Sequence, residues 1–185
     1  MRSERFEFPN ARGDKLAAVL SLPLGEPTAY ALLAHCFTCG KDIRAARVIA
    51  ERLAACGIAA LRFDFTGLGG SEGEFANTHF SSNVDDLVAA ADHLRKTRAP
   101  PALLVGHSLG GAAVLAAAHR VREARAVVTI AAPSDPAHVT GLFRDSIETL
   151  RDKGEVEVQL AGRPFRIKQE FLDDVREQRL QDRLA

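Results

Sequence analysis

The chain carries no excess charge of either sign. Its 24 Lys and Arg residues balance 24 Asp and Glu residues, so the net charge is zero. That removes the electrostatic case for nucleic acid or an anionic membrane as partner. No apolar run reaches the length of a membrane span. The opening Met1-Arg2-Ser3-Glu4-Arg5-Phe6 has no apolar segment of the kind a secretory signal needs. Cysteine is scarce: Cys36, Cys39 and Cys56 are an odd set without the spacing of a disulfide framework, as expected of a reducing cytoplasm. No internal repeat and no low-complexity segment is present.

Two kinds of binding motif are also incomplete. Cys36-Phe37-Thr38-Cys39 has His35 beside it, but no second Cys/His cluster completes a zinc site. Thr66-Gly67-Leu68-Gly69-Gly70-Ser71 is glycine-rich but lacks the lysine of a phosphate-cradling loop. Neither a metal nor a cofactor is expected.

What is present is a 185-residue chain, 46% hydrophobic and 26% charged, enough for one globular domain with a real core. Residues 102–119 organise it. Ala102 to Val105 reads as a buried strand, and an Ala- and Leu-rich helical run follows. Between them stands Gly106-His107-Ser108-Leu109-Gly110, the G-x-S-x-G pattern. By itself the pattern arises by chance in Gly- and Ala-rich chains. Between a strand and a helix it marks a sharp turn that lifts a serine above the carboxyl end of a parallel sheet. Glycines suit the close backbone approach there. The helix N-terminus favours developing negative charge at the serine. Ser108 is the candidate nucleophile.

Along the chain, Arg5 to Phe8 and Lys15 to Leu22 read as an antiparallel hairpin. Ala29 to His35, Ile58 to Phe65 and Ala126 to Ala131 read as buried strands. Helices are expected over Arg44 to Cys56, closed by Gly57, and over Ser82 to Lys96. This alternation implies an α/β fold with a mostly parallel, doubly wound sheet, whose ligands bind at the strand carboxyl ends. Residues 1–136 form the core, and 137–185 an excursion of the same domain. Within it, Ala137 to Leu150 looks helical, 155–168 makes a second hairpin, and Phe171 to Leu184 is a charged helix with a solvated face.

The strings His35-Cys36-Phe37, Asp64-Phe65-Thr66-Gly67-Leu68-Gly69-Gly70-Ser71 and Gly106 to Gly111, in that order, closely resemble the α/β-hydrolase superfamily. Ala34 to Cys39, Arg62 to Gly67 and Phe80-Ser81-Ser82-Asn83 are similar to one branch, often fused to a C-terminal, peroxide-reducing OsmC-like domain. The resemblance implies esterase-like hydrolysis of small ester or acyl substrates through an acyl-enzyme on Ser108. It implies an oxyanion hole from the backbone N–H groups of Leu109 and Phe37. Cys36 stands where many relatives have glycine. The family's acid follows a seventh strand and its histidine an eighth, and the chain looks C-terminally truncated before both. A fragment, a short form without catalysis, or a base from another chain would each account for this.

After Ser108 only His119 and His138 remain. His119 lies about 16 Å along the helix, out of reach. His138, with Asp135 close by, is either a non-standard acid/base pair for Ser108 or a surface histidine at a helix start. His35 is expected to shape the loop, His107 to pack inward, His79 and His93 to be surface residues, and Cys56 to join the core. Asp64 is expected to bind N–H groups of the Gly67–Gly73 loop. The Cys36/Cys39 pair reads as loop-shaping or as a redox site, which keeps open a non-catalytic module acting by association or redox chemistry. With no strands beyond the sixth, its apolar edge would invite self-association.

Overall fold

The computed structural model describes residues 2–180. Six strands form one sheet in the order β1-β2-β4-β3-β5-β6. These are β1 (Arg2–Pro9), β2 (Lys15–Leu22), β3 (Ala29–Ala34), β4 (Ile58–Phe63), β5 (Leu103–His107) and β6 (Ala126–Ile130). β1 and β2 make the expected antiparallel hairpin, with Phe8 opposite Leu16. β2 runs antiparallel to β4, and β3 is parallel to both β4 and β5. β6 lies parallel to β5 at the end of the sheet.

Alternation in the central strands serves two helical layers. Ala31, Leu33, Ala60 and Val105 pack with Ala50 of α1 (Arg44–Ala55). Leu32, Ala34, Leu61, Phe63 and Leu104 face the larger core under α2 (Phe80–Thr97) and α3 (Leu109–Ala117). Both faces are therefore dry, which is why these strands are mostly apolar, with Arg62 of β4 buried but bonded to Lys41 and Asp42. Helices on both faces of a mostly parallel sheet follow from strand–helix–strand units that cross over with one hand.

Several expectations are corrected in detail. β6 is not buried: only Val127 is partly covered, and Val128 and Ile130 remain 44% and 40% exposed. Its composition suits burial on both faces, but among the described residues no strand lies beyond it. Cys56 is exposed because it sits past the end of α1, where the chain turns through Gly57 at φ +84°. His93 is half-buried, its ring stacked on Phe6 and Phe8 at 5.0 and 5.1 Å. His79 caps α2 by accepting from the Ser82 N–H.

The segment after β6 begins as a 3₁₀ stretch, Pro136–Ser146, broken at Phe143, rather than one helix. The Thr140 hydroxyl bonds the Ala137 carbonyl, a local side-chain bond that competes with α-helical pairing. Then come α4 (Ile147–Lys153), the hairpin β7 (Glu155–Leu160) and β8 (Arg163–Lys168), and α5 (Gln169–Glu177). Ala161 and Gly162, both at positive φ, make the two-residue hairpin turn. α5 is not a solvated face. Phe171, Leu172 and Val175 form a buried stripe at helical spacing, and its charges line the other side. The helix ends at Glu177, where Gln178 is extended, so the expected continuation is not helical over 178–180; its remainder, 181–184, lies outside the described residues.

Candidate active site

Ser108 occupies the one-residue turn between β5 and α3, at φ +53° and ψ −126°. This conformation is costly for a residue with a Cβ and persists only where its surroundings fix it. Three contacts do so. The Ser108 N–H donates to the Ile130 carbonyl at 2.8 Å, tying the turn to β6. Its carbonyl accepts from Gly111 N–H at 2.8 Å, opening α3. The flanking glycines let backbone cross backbone: a Cβ on Gly106 would stand 2.3 Å from the Gly110 carbonyl, and one on Gly110 2.2 Å from the His35 carbonyl. The turn therefore admits nothing larger than glycine at either position.

The loop after β3 packs against this turn. His35 is buried, 3% exposed. Its Nδ1–H donates to the Cys36 carbonyl at 2.8 Å and its Nε2 accepts from the Phe65 N–H at 3.4 Å, which together define a neutral ring. Burial lowers the His35 pKa, outweighing the Cys36 carbonyl and the Asp64 charge, which raise it. The approach of Nε2 to Asp64 at 4.0 Å is accordingly not an ion pair. The Phe37 ring is buried against Phe75 and Phe171, so its backbone is held beside the start of α3. Cys36 and Phe37 share a narrow crevice with Leu109 and Gly110.

Cys36 and Cys39 are joined as a disulfide across a turn that the Cys39 N–H closes onto the Cys36 carbonyl. Asp64, 1% exposed, accepts from the Gly70 N–H, as its place in the sequence suggested. It also accepts from the backbone N–H and ammonium of Lys41, both at 2.6 Å, so one carboxylate pins the loops after β3 and β4 together.

Ser108 opens on a cleft of about 970 Å³, lined also by Leu109, Ala131, Asp135, His138 and Arg144. Sequence-predicted residues from two separate segments thus meet in one place. Asp135 and His138 share the cleft, but among the described residues no hydrogen bond joins their side chains to each other or to Ser108. The Asp135 carboxylate instead accepts from the Ala137 N–H at 2.9 Å, capping the 3₁₀ stretch. His138 is exposed. His119 follows α3 and does not line the cleft. Among the described residues no group of three or more His, Cys, Asp or Glu is placed to hold a metal ion, and no helix is long and apolar enough to cross a membrane.

Two contributors have no local signal in the sequence. Arg163 of the second hairpin donates to the Thr38 carbonyl, 125 positions away. Phe171 supplies the ring that backs Phe37. Only the folding of 137–177 over the loops brings them there.

The family model of the S33 serine aminopeptidases matches residues 26–174, which span the turn, its flanking loops and the cleft wall. The chain belongs to this S33 family of α/β-hydrolases. Among solved structures it is similar to the esterase domain of a Rhodothermus marinus protein, at 49% identity, over 99% of this chain and 71% of that one, with a TM-score of 0.74. It is also similar to a Xanthomonas campestris member of the α/β serine hydrolases without a lid, at 26% identity over 72% of this chain and 63% of that one, TM-score 0.63. Est1E of Butyrivibrio proteoclasticus, solved with ferulic acid bound, shares the fold at 22% identity over 96% of this chain and 73% of that one, TM-score 0.79. Among curated protein sequences none matches the chain. The α/β-hydrolase fold expected from the motifs is therefore this chain's fold.

Proposed function

We propose that this α/β-hydrolase is an esterase-like serine hydrolase acting on small ester or acyl substrates through Ser108. The observation that carries the reading is the positive-φ turn that sets Ser108 at the N-terminus of α3, facing the cleft. The 49% identity with an esterase domain supports the same chemistry. In the reaction, Ser108 Oγ attacks the acyl carbonyl and its proton passes to a base. The tetrahedral intermediate then expels the alcohol, which takes that proton. Water repeats the sequence on the acyl-enzyme and releases the acid.

Two backbone donors suit the oxyanion. Leu109 N–H belongs to the first turn of α3, where no carbonyl of the helix is available to it. Phe37 N–H lies on the loop that packs against that turn. Each such donor contributes about 3–4 kcal/mol to the barrier reduction. His138 is the histidine of the described residues that lines the Ser108 cleft, and Asp135 the carboxylate. We assign them as base and acid on this chain; the Ala137 N–H occupies one oxygen of the Asp135 carboxylate and leaves the other to accept from His138.

The test is labelling with a fluorophosphonate probe, read by intact mass. Stoichiometric labelling should occur and vanish in Ser108→Ala. His138→Gln should slow it by about 100-fold or more, in line with loss of a general base. Labelling unchanged in His138→Gln removes His138 from the role. No labelling of folded protein overturns the hydrolase reading.

A further inference from the structure

The disulfide lies where the hydrolase chemistry has no use for it. Cys36 and Cys39 flank Phe37 and Thr38 on the loop after β3, with Cα atoms 5.3 Å apart, well within bridging distance. A bridge between residues three apart closes a very short loop and removes little chain entropy, so it adds little as a staple. The turn is already held without it, by the Cys39 N–H on the Cys36 carbonyl, by His35 on the same carbonyl, and by Arg163 on the Thr38 carbonyl. Both cysteines are only partly buried, within reach of small thiols. Cys56, by contrast, is exposed and has no bridge.

We propose that Cys36 and Cys39 are a second, redox-active site, a dithiol/disulfide couple that exchanges with small-molecule thiols and disulfides and tunes the oxyanion donor at Phe37. The coupling to Phe37 rests on the hydrolase reading; the couple itself does not. In the oxidising direction, one thiolate attacks a small-molecule disulfide and expels one of its thiolates. The second thiolate then attacks the mixed disulfide, forms the Cys36–Cys39 bond and expels the other. Two electrons and two protons leave the protein, and the disulfide is reduced to two thiols. Reduction of the protein is the reverse. In the reduced chain the turn carrying the Phe37 N–H keeps its hydrogen bonds but loses its covalent closure. The donor is then less rigidly aimed, and electrostatic stabilisation of this kind depends on donors fixed in advance.

The full chain is equilibrated in glutathione buffers from fully reduced to fully oxidised, trapped with iodoacetamide and weighed intact. Cys56 should alkylate throughout, and two further adducts should appear only on the reducing side. Fluorophosphonate labelling in the same buffers should slow about tenfold on reduction. Cys36→Ser and Cys39→Ser should each label at the slow rate whatever the buffer, while the wild type changes rate with the buffer, a dependence that a merely packed pair of cysteines would not produce. Three alkylated cysteines in every buffer overturn the redox site. A disulfide that titrates while labelling stays constant overturns the coupling to Phe37. A couple that titrates in protein that never labels supports the redox site and overturns the coupling together with the hydrolase reading.

Discussion

His35 shows how much a single buried ring can decide. It touches the Cys36 carbonyl on one side and the Phe65 N–H on the other, so it ties the loop carrying Phe37 to the end of β4. The bond from the Phe65 N–H needs the neutral ring, because a protonated Nε2 cannot accept, whereas the Nδ1–H bond to the Cys36 carbonyl is kept in either form. Burial keeps the folded-state pKa below the free value of about 6.5. The folded protein therefore binds fewer protons than the unfolded chain just below that value. The contribution is present above pH 6.5 and is lost as pH falls through the window beneath it, at up to about 1.4 kcal/mol per pH unit. Denaturant midpoints should fall as pH drops below 6.5 in the wild type and fall less steeply in His35→Gln. An identical slope in the variant would show that the proton goes elsewhere.

Elements, more than residues, account for the shape of the loop that faces Ser108. Phe171 of α5 stacks on Phe37 with ring centroids 5.0 Å apart, and Phe165 of β8 meets Phe75 at 4.8 Å. The second hairpin and α5 are thus bolted onto the 36–39 and 67–77 loops by aromatic rings. Phe171→Ala should cost about 3–5 kcal/mol, the range for truncating a buried phenylalanine. Because the ring backs Phe37, amide exchange should quicken in α5 and in the β7–β8 hairpin before the main sheet opens. Exchange that rises uniformly across the chain would mean that the segment has no separate anchoring role.

Among the described residues of the whole molecule, the sheet ends on β6, where Val128 and Ile130 remain substantially exposed. Exposed strand edges with apolar side chains pair with other strands unless something blocks them. The proposal read from the sequence, association of two copies through this edge, predicts a dimer mass by light scattering at micromolar concentration. Ile130→Lys should shift it to monomer. A sharp monomer peak from the wild type counts against the proposal. The outcome bears on the cleft as well, since the Ile130 carbonyl holds the Ser108 N–H.

The sequence by itself determined the sheet and the turn. Short, mostly apolar runs at β3, β4 and β5, set between turn and helix signals, point to strands buried on two faces, and Gly106 and Gly110 around Ser108 are demanded by backbone crossings that no side chain could survive. These are local signals, carried within about ten residues. The tertiary structure alone decided the rest. It determined that Asp135 and His138 share the cleft of Ser108, that Arg163 and Phe171 bear on the loop at 36–39, and that β6 stays half-bare although its composition suits a core. In each case the deciding contact joins residues far apart in the chain, or depends on whether a neighbouring element is there to cover a face. Neither is written in the residues of one segment.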